Sequence, residues 1–228
     1  MSKPVSPWKW LEVVAVVALL PVGSIAGALT GIPIMGSIAA VGLPLCAATL
    51  FLRQEGSSWF DLGITRRIPV GQFFGWLIAT VCLCWLVTSF LVAPVLFRLG
   101  APPVNVTPLA RLIEGNLSQY LLFLIPVSWG SAAIGEEMLT RGFLLHRITT
   151  LSNRTVGVLL QALLFALAHL YQGITGMVMI FFMALIFGVV YFRCGRSLLP
   201  LFAAHGLIDT IGVTLLYLGR SDLLAGAG

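Results

Sequence analysis

Charged side chains are scarce in this sequence: only 9% of its 228 residues are Asp, Glu, Lys or Arg, whereas 59% are hydrophobic. A soluble domain carries about 25% charged residues, so most of the usual polar surface is missing. This scarcity excludes an ordinary cytosolic enzyme, a disordered regulator and a secreted disulfide scaffold, because none of them covers so much apolar surface with so few polar groups. The composition predicts an integral membrane protein.

The sequence also lacks a cysteine framework and a basic patch, and each absence excludes a further class of function. The four cysteines (Cys46, Cys82, Cys84 and Cys194) lack the spacing of a zinc ribbon or a disulfide framework, and we expect them to be small core residues of membrane helices. The net charge of +5 comes from single Lys and Arg residues between long apolar runs rather than from a basic patch. We therefore expect the lipid bilayer as a partner and no nucleic acid.

Long apolar runs are what the sequence does contain. Since a membrane-spanning helix needs about 20 apolar residues, the region 10–52 predicts two helices broken near Gly31-Ile-Pro33. Further helices are predicted over 72–97, from 117 past Arg141, and over 155–171, 175–192 and 198–218. The fold class is all-α, a polytopic membrane bundle of about seven transmembrane helices, with eight possible if the N-terminal region hides another break. Residues 1–228 form one membrane domain, with a short interfacial helix over 109–114 and an interfacial connector over 53–71.

The distribution of basic residues predicts the orientation in the membrane. Short cytoplasmic loops hold the excess of Lys and Arg, and a cytoplasmic N-terminus places ten of the thirteen on the inner side. These are Lys3, Lys9, Arg53, Arg66, Arg67, Arg141, Arg147, Arg154, Arg193 and Arg196, against Arg98, Arg111 and Arg220 outside. The small residues Ala26-Gly-Ala28 after the first apolar run resemble a signal-peptide cleavage site, but we expect the segment to be retained. The strong bias of Arg over Lys indicates a bacterial source, and hence the inner membrane.

A few ionisable side chains lie inside the predicted spans, where a charge costs about 2.5–3.5 kcal/mol and indicates function. They occur in Gly135-Glu-Glu-Met-Leu-Thr-Arg-Gly142, Phe165-Ala-Leu-Ala-His169 and His205-Gly-Leu-Ile-Asp209. Glu137 and Arg141 are four residues apart and can pair on one helix face. Glu136 is rotated by about 100° from that pair and has no local partner. Taken singly, each group also fits a structural role in joining helices.

The depth of these groups predicts that they meet. At 1.5 Å per residue, Glu136 and His169 lie roughly 22 and 27 Å from the turn near residue 151. His205 lies about 15 Å from the next inner turn, and Asp209 shares its face at the i, i+4 spacing. If the hairpin whose turn lies near residue 151 projects several ångströms into the cytoplasm, all of these groups can line one cavity that opens toward the cytoplasm.

Two chemistries suit such a cluster. Glu136 and His169 can hold a water molecule and take its proton while it attacks a carbonyl. His205 with Asp209 can then stabilise the developing oxyanion. Alternatively, Glu136, His169 and His205 can bind a catalytic zinc ion with an open fourth position.

The three motifs resemble, in order, the EExxxR, FxxxH and HxxxN/D motifs of the CPBP family of intramembrane proteases. This family includes the type II CAAX prenyl endopeptidases and bacterial relatives linked to bacteriocin processing and self-immunity. The segment beginning Trp59-Phe-Asp-Leu-Gly-Ile also resembles a segment upstream of the motifs in bacterial members.

The resemblance implies an endopeptidase whose catalytic helices lie over residues 117–219. It implies catalytic roles for Glu136, His169, His205 and Asp209, with Glu137, Arg141 and Phe165 supporting them. It favours a glutamate-type mechanism that needs no cofactor, with zinc as the alternative. Asp209 departs from the Asn of the prenyl endopeptidases, and an ionised Asp cannot donate a hydrogen bond to an oxyanion.

The predicted substrate is a membrane-associated protein or peptide, cleaved near its end, and the sequence does not define the oligomeric state. Two other functions remain open. One is a catalytically inactive scaffold or immunity-type protein of the same fold. The other is a proton-coupled transporter with Glu136, His169 and Asp209 as the proton path, although the chain shows no pair of related halves.

Overall fold

The computed structural model describes residues 8–225, which form helices and connecting turns without a β-strand. In chain order, the helices are α1 (Lys9–Ala28), α2 (Met35–Gln54), α3 (Val70–Arg98), α4 (Thr107–Ile113), α5 (Leu117–Leu151), α6 (Arg154–Ala168), α7 (Gly173–Arg193), α8 (Leu199–Tyr217) and α9 (Asp222–Ala225). This architecture confirms the predicted all-α polytopic membrane bundle.

The first two helices form a tight antiparallel hairpin with its turn where the sequence predicted a break. A Cβ atom on Gly23 or Gly27 would lie 2.1 Å from the carbonyl oxygen of Ala39 or Met35, so only glycine allows the two backbones to approach this closely. Small residues at such crossings are typical of membrane helices, which associate through close backbone contact.

Within residues 8–225, six helices are long and apolar enough to cross a membrane, and α6 is shorter. The prediction that this helix extends to residue 171 is wrong: it ends at Ala168, and His169 forms its C-cap. Leu170 and Tyr171 continue the apolar run, but their backbone forms a 3₁₀ turn that Gly173 terminates with a φ of +81°. Hydropathy alone gives no sign of this backbone change. With 15 residues, α6 is about 22 Å long.

The long helix α5 is not uniformly α-helical. Residues Phe123–Glu136 and Met138–Leu145 have the wider π-helical winding, which forms i→i+5 hydrogen bonds. Pro126 lies within the first of these segments. The depth predicted for Glu136 assumed the α-helical rise throughout and is therefore only approximate. π-Helical turns occur frequently at functional sites, and both segments adjoin Glu136 and Glu137.

One end of the bundle collects basic residues and is here called the basic end. Arg147 forms ion pairs with Glu12 (2.8 Å) and Glu55 (2.9 Å), and Lys9 also pairs with Glu55 (2.9 Å). These contacts join the N-terminus of α1 and the C-termini of α2 and α5. Arg154 and Arg196 lie over the ring of Phe192 at the same end.

The opposite end of the bundle consists of the segment 99–116 and of two turns that are bonded to it, one near Gln172 and one near Tyr217. The amide of Asn105 donates to the carbonyl oxygen of Gln172 (3.0 Å), and the Thr175 hydroxyl donates to that of Pro102. The amide of Gly115 donates to the carbonyl oxygen of Tyr217 (3.0 Å). Apart from Arg141, which lies in the middle of the bundle, the described basic residues predicted on the two sides of the membrane thus lie at two separate ends of the bundle. Lys3, which was counted on the inner side, lies outside the described residues.

Candidate active site

Three helices position the polar residues that the sequence singled out. Helix α5 carries Glu136, Glu137 and Arg141, and α8 carries His205 and Asp209. The third helix, α6, presents Phe165 on its last turn and His169 at its C-cap. The side chains carried by α5 and α8 meet near the middle of the bundle. The rings of Phe165 and His169, from α6, adjoin them.

Glu137 is the buried anchor of the cluster. Its side chain is fully buried, and its Oε1 atom accepts hydrogen bonds from Arg141 Nη1 (2.7 Å) and His205 Nδ1 (2.8 Å). The i, i+4 spacing predicted the contact with Arg141 on α5. The contact with His205 on α8 joins residues 68 positions apart, so no local sequence pattern indicates it. Removing one member of a buried ion pair costs about 3–5 kcal/mol, so this contact fixes the position of α8 against α5.

The remaining nitrogen of His205 faces two carboxylates. Its Nε2 atom lies 3.9 Å from Glu136 Oε2 and 3.8 Å from Asp209 Oδ1, too far for direct hydrogen bonds. The Glu136 carboxylate forms no hydrogen bond with any described residue, and its Oε2 atom is buried. Glu136 is therefore available to act on a bound molecule, as the absence of a local partner in the sequence predicted.

His169 is held in one tautomer. Its Nδ1 atom lies 2.8 Å from the carbonyl oxygen of Phe165, which can only accept, so Nδ1 carries the proton. Consequently Nε2 of the neutral ring has a free lone pair. The imidazole packs against Phe165 and Tyr171, with ring centroids 4.7 and 5.8 Å apart. No hydrogen bond in residues 8–225 joins His169 to Glu136 or His205.

An aromatic enclosure surrounds the buried cation. The guanidinium carbon of Arg141 lies 4.9 Å from the ring centroids of both Phe165 and Phe187. Both rings also pack edge-on against His205, at 6.4 and 5.8 Å. Cation–π contacts of this kind stabilise a desolvated cation by up to about 2 kcal/mol. The sequence analysis missed Phe187, because a phenylalanine within the apolar α7 gives no signal of its own.

The predicted zinc ligands do not form a metal site in this arrangement. Among the described residues, no group of three or more His, Cys, Asp or Glu side chains is placed so that it could hold a metal ion. Zinc requires its nitrogen and oxygen ligands at about 2.0–2.2 Å. Nε2 of His205 lies 3.9 Å from Oε2 of Glu136, and no third side chain of the described residues completes a metal site with them.

Accessibility falls steadily across the cluster. The side chains of Asp209, Glu136 and His205 are 29%, 20% and 14% exposed, whereas Arg141 and Glu137 are 1% and 0% exposed. The more accessible side chains therefore lie on the side of Asp209 and the buried ones on the side of Arg141, which lies nearer the basic end of α5. The opening of the cluster toward the cytoplasm stays a prediction. Helical rise gave the depth of each residue, but packing decides which side is filled.

A comparison with protein families matches residues 118–211 to the model described as Type II CAAX prenyl endopeptidase Rce1-like. The matched segment contains all three motifs, from Glu136 to Asp209. No curated protein and no solved structure matches the chain. Over residues 118–211 the chain is thus similar to the Rce1-like type II CAAX prenyl endopeptidases, which confirms the resemblance of its motifs to the CPBP family.

Proposed function

We propose that this protein is an intramembrane endopeptidase that hydrolyses a peptide bond near the end of a membrane-associated protein or peptide. The observation that carries this proposal is the unpaired Glu136 carboxylate facing His205, whose other nitrogen is fixed by the buried Glu137. A purely structural cluster would pair its carboxylates, because an unpaired buried charge is costly. The family match supports the same activity.

The first step of the proposed reaction uses Glu136 and His169. The Glu136 carboxylate and the Nε2 lone pair of His169 together orient a water molecule toward the scissile carbonyl carbon. As the carbon–oxygen bond forms, Glu136 accepts a proton from the water. The Phe165 carbonyl keeps the proton of His169 on Nδ1, which leaves Nε2 as an acceptor.

The second step uses His205. The former carbonyl oxygen becomes an oxyanion and is stabilised by a proton on His205 Nε2, while Nδ1 remains bonded to Glu137. The carboxylate of Asp209, 3.8 Å from Nε2, favours the protonated ring through its negative charge. Glu136 then donates its proton to the leaving amine as the oxyanion reforms the carbonyl and the carbon–nitrogen bond breaks, which yields a carboxylic acid and an amine; the acid loses its proton to solvent.

The decisive experiment compares Glu136→Gln with the unchanged protein on a library of membrane peptides, with cleavage products identified by mass spectrometry. The amide cannot accept the water proton, so we expect kcat/KM to fall by at least about 10²-fold. Glu114→Gln, an exposed glutamate at the opposite end, serves as the matched control and should retain full activity. Equal processing by the wild type and Glu136→Gln would overturn the proposal, as would a wild type that cleaves nothing.

The same samples decide between the glutamate-type and zinc mechanisms. We expect the purified active protein to contain no stoichiometric zinc and to retain its activity after treatment with a chelator. A zinc content near one per chain, with loss of activity on chelation and recovery on zinc addition, would establish the metalloprotease mechanism instead.

A further inference from the structure

The connector between α2 and α3 is bonded to the turn between α7 and α8. The amide of Leu198 donates to the carbonyl oxygen of Gly63 (3.1 Å), and the Ser197 hydroxyl donates to that of Arg66 (2.6 Å). Gly63 has a φ of +98°, and a Cβ atom there would collide with the carbonyl oxygen of Arg196. The connector therefore lies against the start of α8, at the basic end of the bundle.

A cavity of about 370 Å³ lies where this connector enters α3. Five of its lining side chains are apolar and one is a cation; they are Arg67, Ile68, Val70, Phe73, Phe74 and Leu199. The cavity is open to the outside of the bundle, since Val70 is 72% and Phe74 53% exposed. It thus joins α3 to α8 through an apolar surface that has a guanidinium at the end nearer the connector.

The positive charge beside this cavity is not neutralised by the protein. Within residues 8–225, neither Arg66 nor Arg67 lies at ion-pair distance from an acidic side chain. Asp61, the acidic residue nearest in sequence, instead accepts two hydrogen bonds from Ser58, both at 2.8 Å. The guanidinium that lines the cavity is therefore available to an anion.

The depth of the cavity matches the boundary between phospholipid headgroups and hydrocarbon. The apolar span of α3 begins at Val70, so Arg67 precedes the segment that crosses the hydrocarbon core. Phe73 and Phe74 follow about 5–6 Å farther along the helix, inside the apolar layer. A small soluble anion would contact the arginine but not the aromatic rings. Only a molecule with an anionic head and an apolar chain matches both parts of the lining.

We propose that this cavity binds an anionic phospholipid of the bilayer, with its phosphate at Arg67 and one acyl chain along Phe73, Phe74 and Leu199. Basic pockets between membrane helices are characteristic sites for the headgroups of such lipids. A zwitterionic lipid is disfavoured, because it brings an ammonium group toward the unpaired arginine. The bound lipid contacts α3 and the start of α8 together, and α8 carries His205.

The headgroup half of the site is tested by native mass spectrometry of the full chain in detergent. The protein is titrated with phosphatidylglycerol and with phosphatidylcholine of the same acyl chains, and we expect phosphatidylglycerol to bind with a Kd at least about 10-fold lower. Arg67→Gln should raise that Kd about 5-fold, the effect of one basic residue near an anionic surface. Arg67→Lys keeps the charge and should bind within about 2-fold of the wild type. Arg53→Gln, which removes an exposed arginine at the same end, is the matched control and should change nothing.

The acyl-chain half is tested with a second pair of variants. Phe74→Ala should raise the Kd for phosphatidylglycerol at least about 3-fold, because the chain loses apolar contact surface. Phe90→Ala is its matched control, since Phe90 is an equally exposed phenylalanine near the other end of α3. Glycerol phosphate, which has the anion without the chains, should not displace the bound lipid.

Four results would overturn the inference. Equal affinity of the wild type for the two lipids would mean that they bind only as a non-specific annulus. Equal weakening by Arg67→Gln and Arg53→Gln would assign the preference to net charge rather than to this cavity. Unchanged binding by Phe74→Ala would place the acyl chain elsewhere, and displacement by glycerol phosphate would show a site for soluble anions. Lipid binding does not require catalysis, so this inference stands or falls independently of the peptidase proposal.

Discussion

His205 has both ring nitrogens directed at carboxylates, and this determines what its neighbours can do. Its Nδ1 atom is bonded to Glu137, whereas Nε2 faces Glu136 and Asp209 from 3.9 and 3.8 Å. Asp209 occupies the position at which the prenyl endopeptidases carry Asn. An ionised carboxylate cannot donate to an oxyanion. The placement of Asp209 therefore suits a positioning role, in which its negative charge favours a proton on Nε2 of His205.

Substitution of Asp209 tests that role. We expect Asp209→Asn to retain kcat/KM within about 10-fold, because the amide keeps an oxygen facing Nε2 and adds a donor. Asp209→Ala should lower kcat by about 10²-fold, as expected when an oxyanion-stabilising arrangement loses one member. Asp222→Asn, on an exposed aspartate paired with Arg220, is the control. If Asp209→Asn were as inactive as Asp209→Ala, the negative charge itself would be required.

At the residue scale, local spacing predicted part of the cluster. The i, i+4 rule gave the Glu137–Arg141 ion pair, which the structure shows at 2.7 Å, and the shared face of His205 and Asp209. The bond between Glu137 and His205 was beyond prediction from spacing, because it depends on how α5 and α8 pack. Phe187 was missed for the same reason, since its contact with Arg141 comes from a third helix.

The elements themselves were predictable where hydropathy changes abruptly. Gly31-Ile-Pro33 separates α1 from α2, and Thr107-Pro108 begins the short α4. The end of α6 was not predictable by the same means, because Leu170 and Tyr171 are as apolar as the helix before them. The π-helical segments of α5 also lack a sequence signature, since they depend on tertiary packing.

The contact between α5 and α8 depends on one small residue. A Cβ atom on Gly206 would lie 2.6–2.7 Å from ring carbons of Trp129, whose indole Nε1 donates to the Thr210 hydroxyl (3.1 Å). Adding a methyl group at this position must displace the indole ring of Trp129 or push α8 away from α5. Movement of α8 would carry His205, the adjacent residue, away from Glu137 and Glu136.

We therefore expect Gly206→Ala to lower kcat/KM by at least about 10²-fold, since misplacement of a catalytic group by 1 Å has an effect of this size. Gly212→Ala on the same helix is the matched control, because its Cβ atom meets no other atom within 4 Å. Circular dichroism and thermal unfolding in detergent establish that both variants fold. Full activity of a folded Gly206→Ala would show that the register of α8 does not position His205.

Across the whole molecule, some of the few charged residues mark the ends of the membrane helices, whereas others are buried and join helices. Composition alone does not separate the two groups. Arg147 was counted as an inner-side topology signal, yet it is 4% exposed and links three helices through Glu12 and Glu55. The approximate depth of the cluster followed from counting residues, but the packing around it did not. Leu145 and Ile148, which lie between the cluster and the basic end, are completely buried.

The ion pairs at the basic end predict a loss of stability in acid. Burial raises the pKa of the Glu55 carboxyl, but hydrogen bonds from Lys9 and Arg147 outweigh it and hold the pKa below its usual value. A carboxyl whose pKa is lowered by folding stabilises the folded state above its unfolded pKa of about 4.3. This stabilisation disappears as the pH falls through the lower pKa of the folded state.

We expect the difference in thermal midpoint between the wild type and Glu55→Gln to be about 2–4 °C at pH 7, the effect of about 1 kcal/mol in a chain of this size. The difference should shrink to zero as the pH is lowered below about 4, because the protonated carboxyl resembles the amide. Measuring both proteins across pH in the same detergent cancels the titration of the other carboxyls, and Glu114→Gln controls for the loss of one exposed charge. A difference that persists unchanged into acid would show that Glu55 acts through packing rather than through its charge. In that case the attachment of the α1–α2 hairpin to α5 would not depend on the ion pairs.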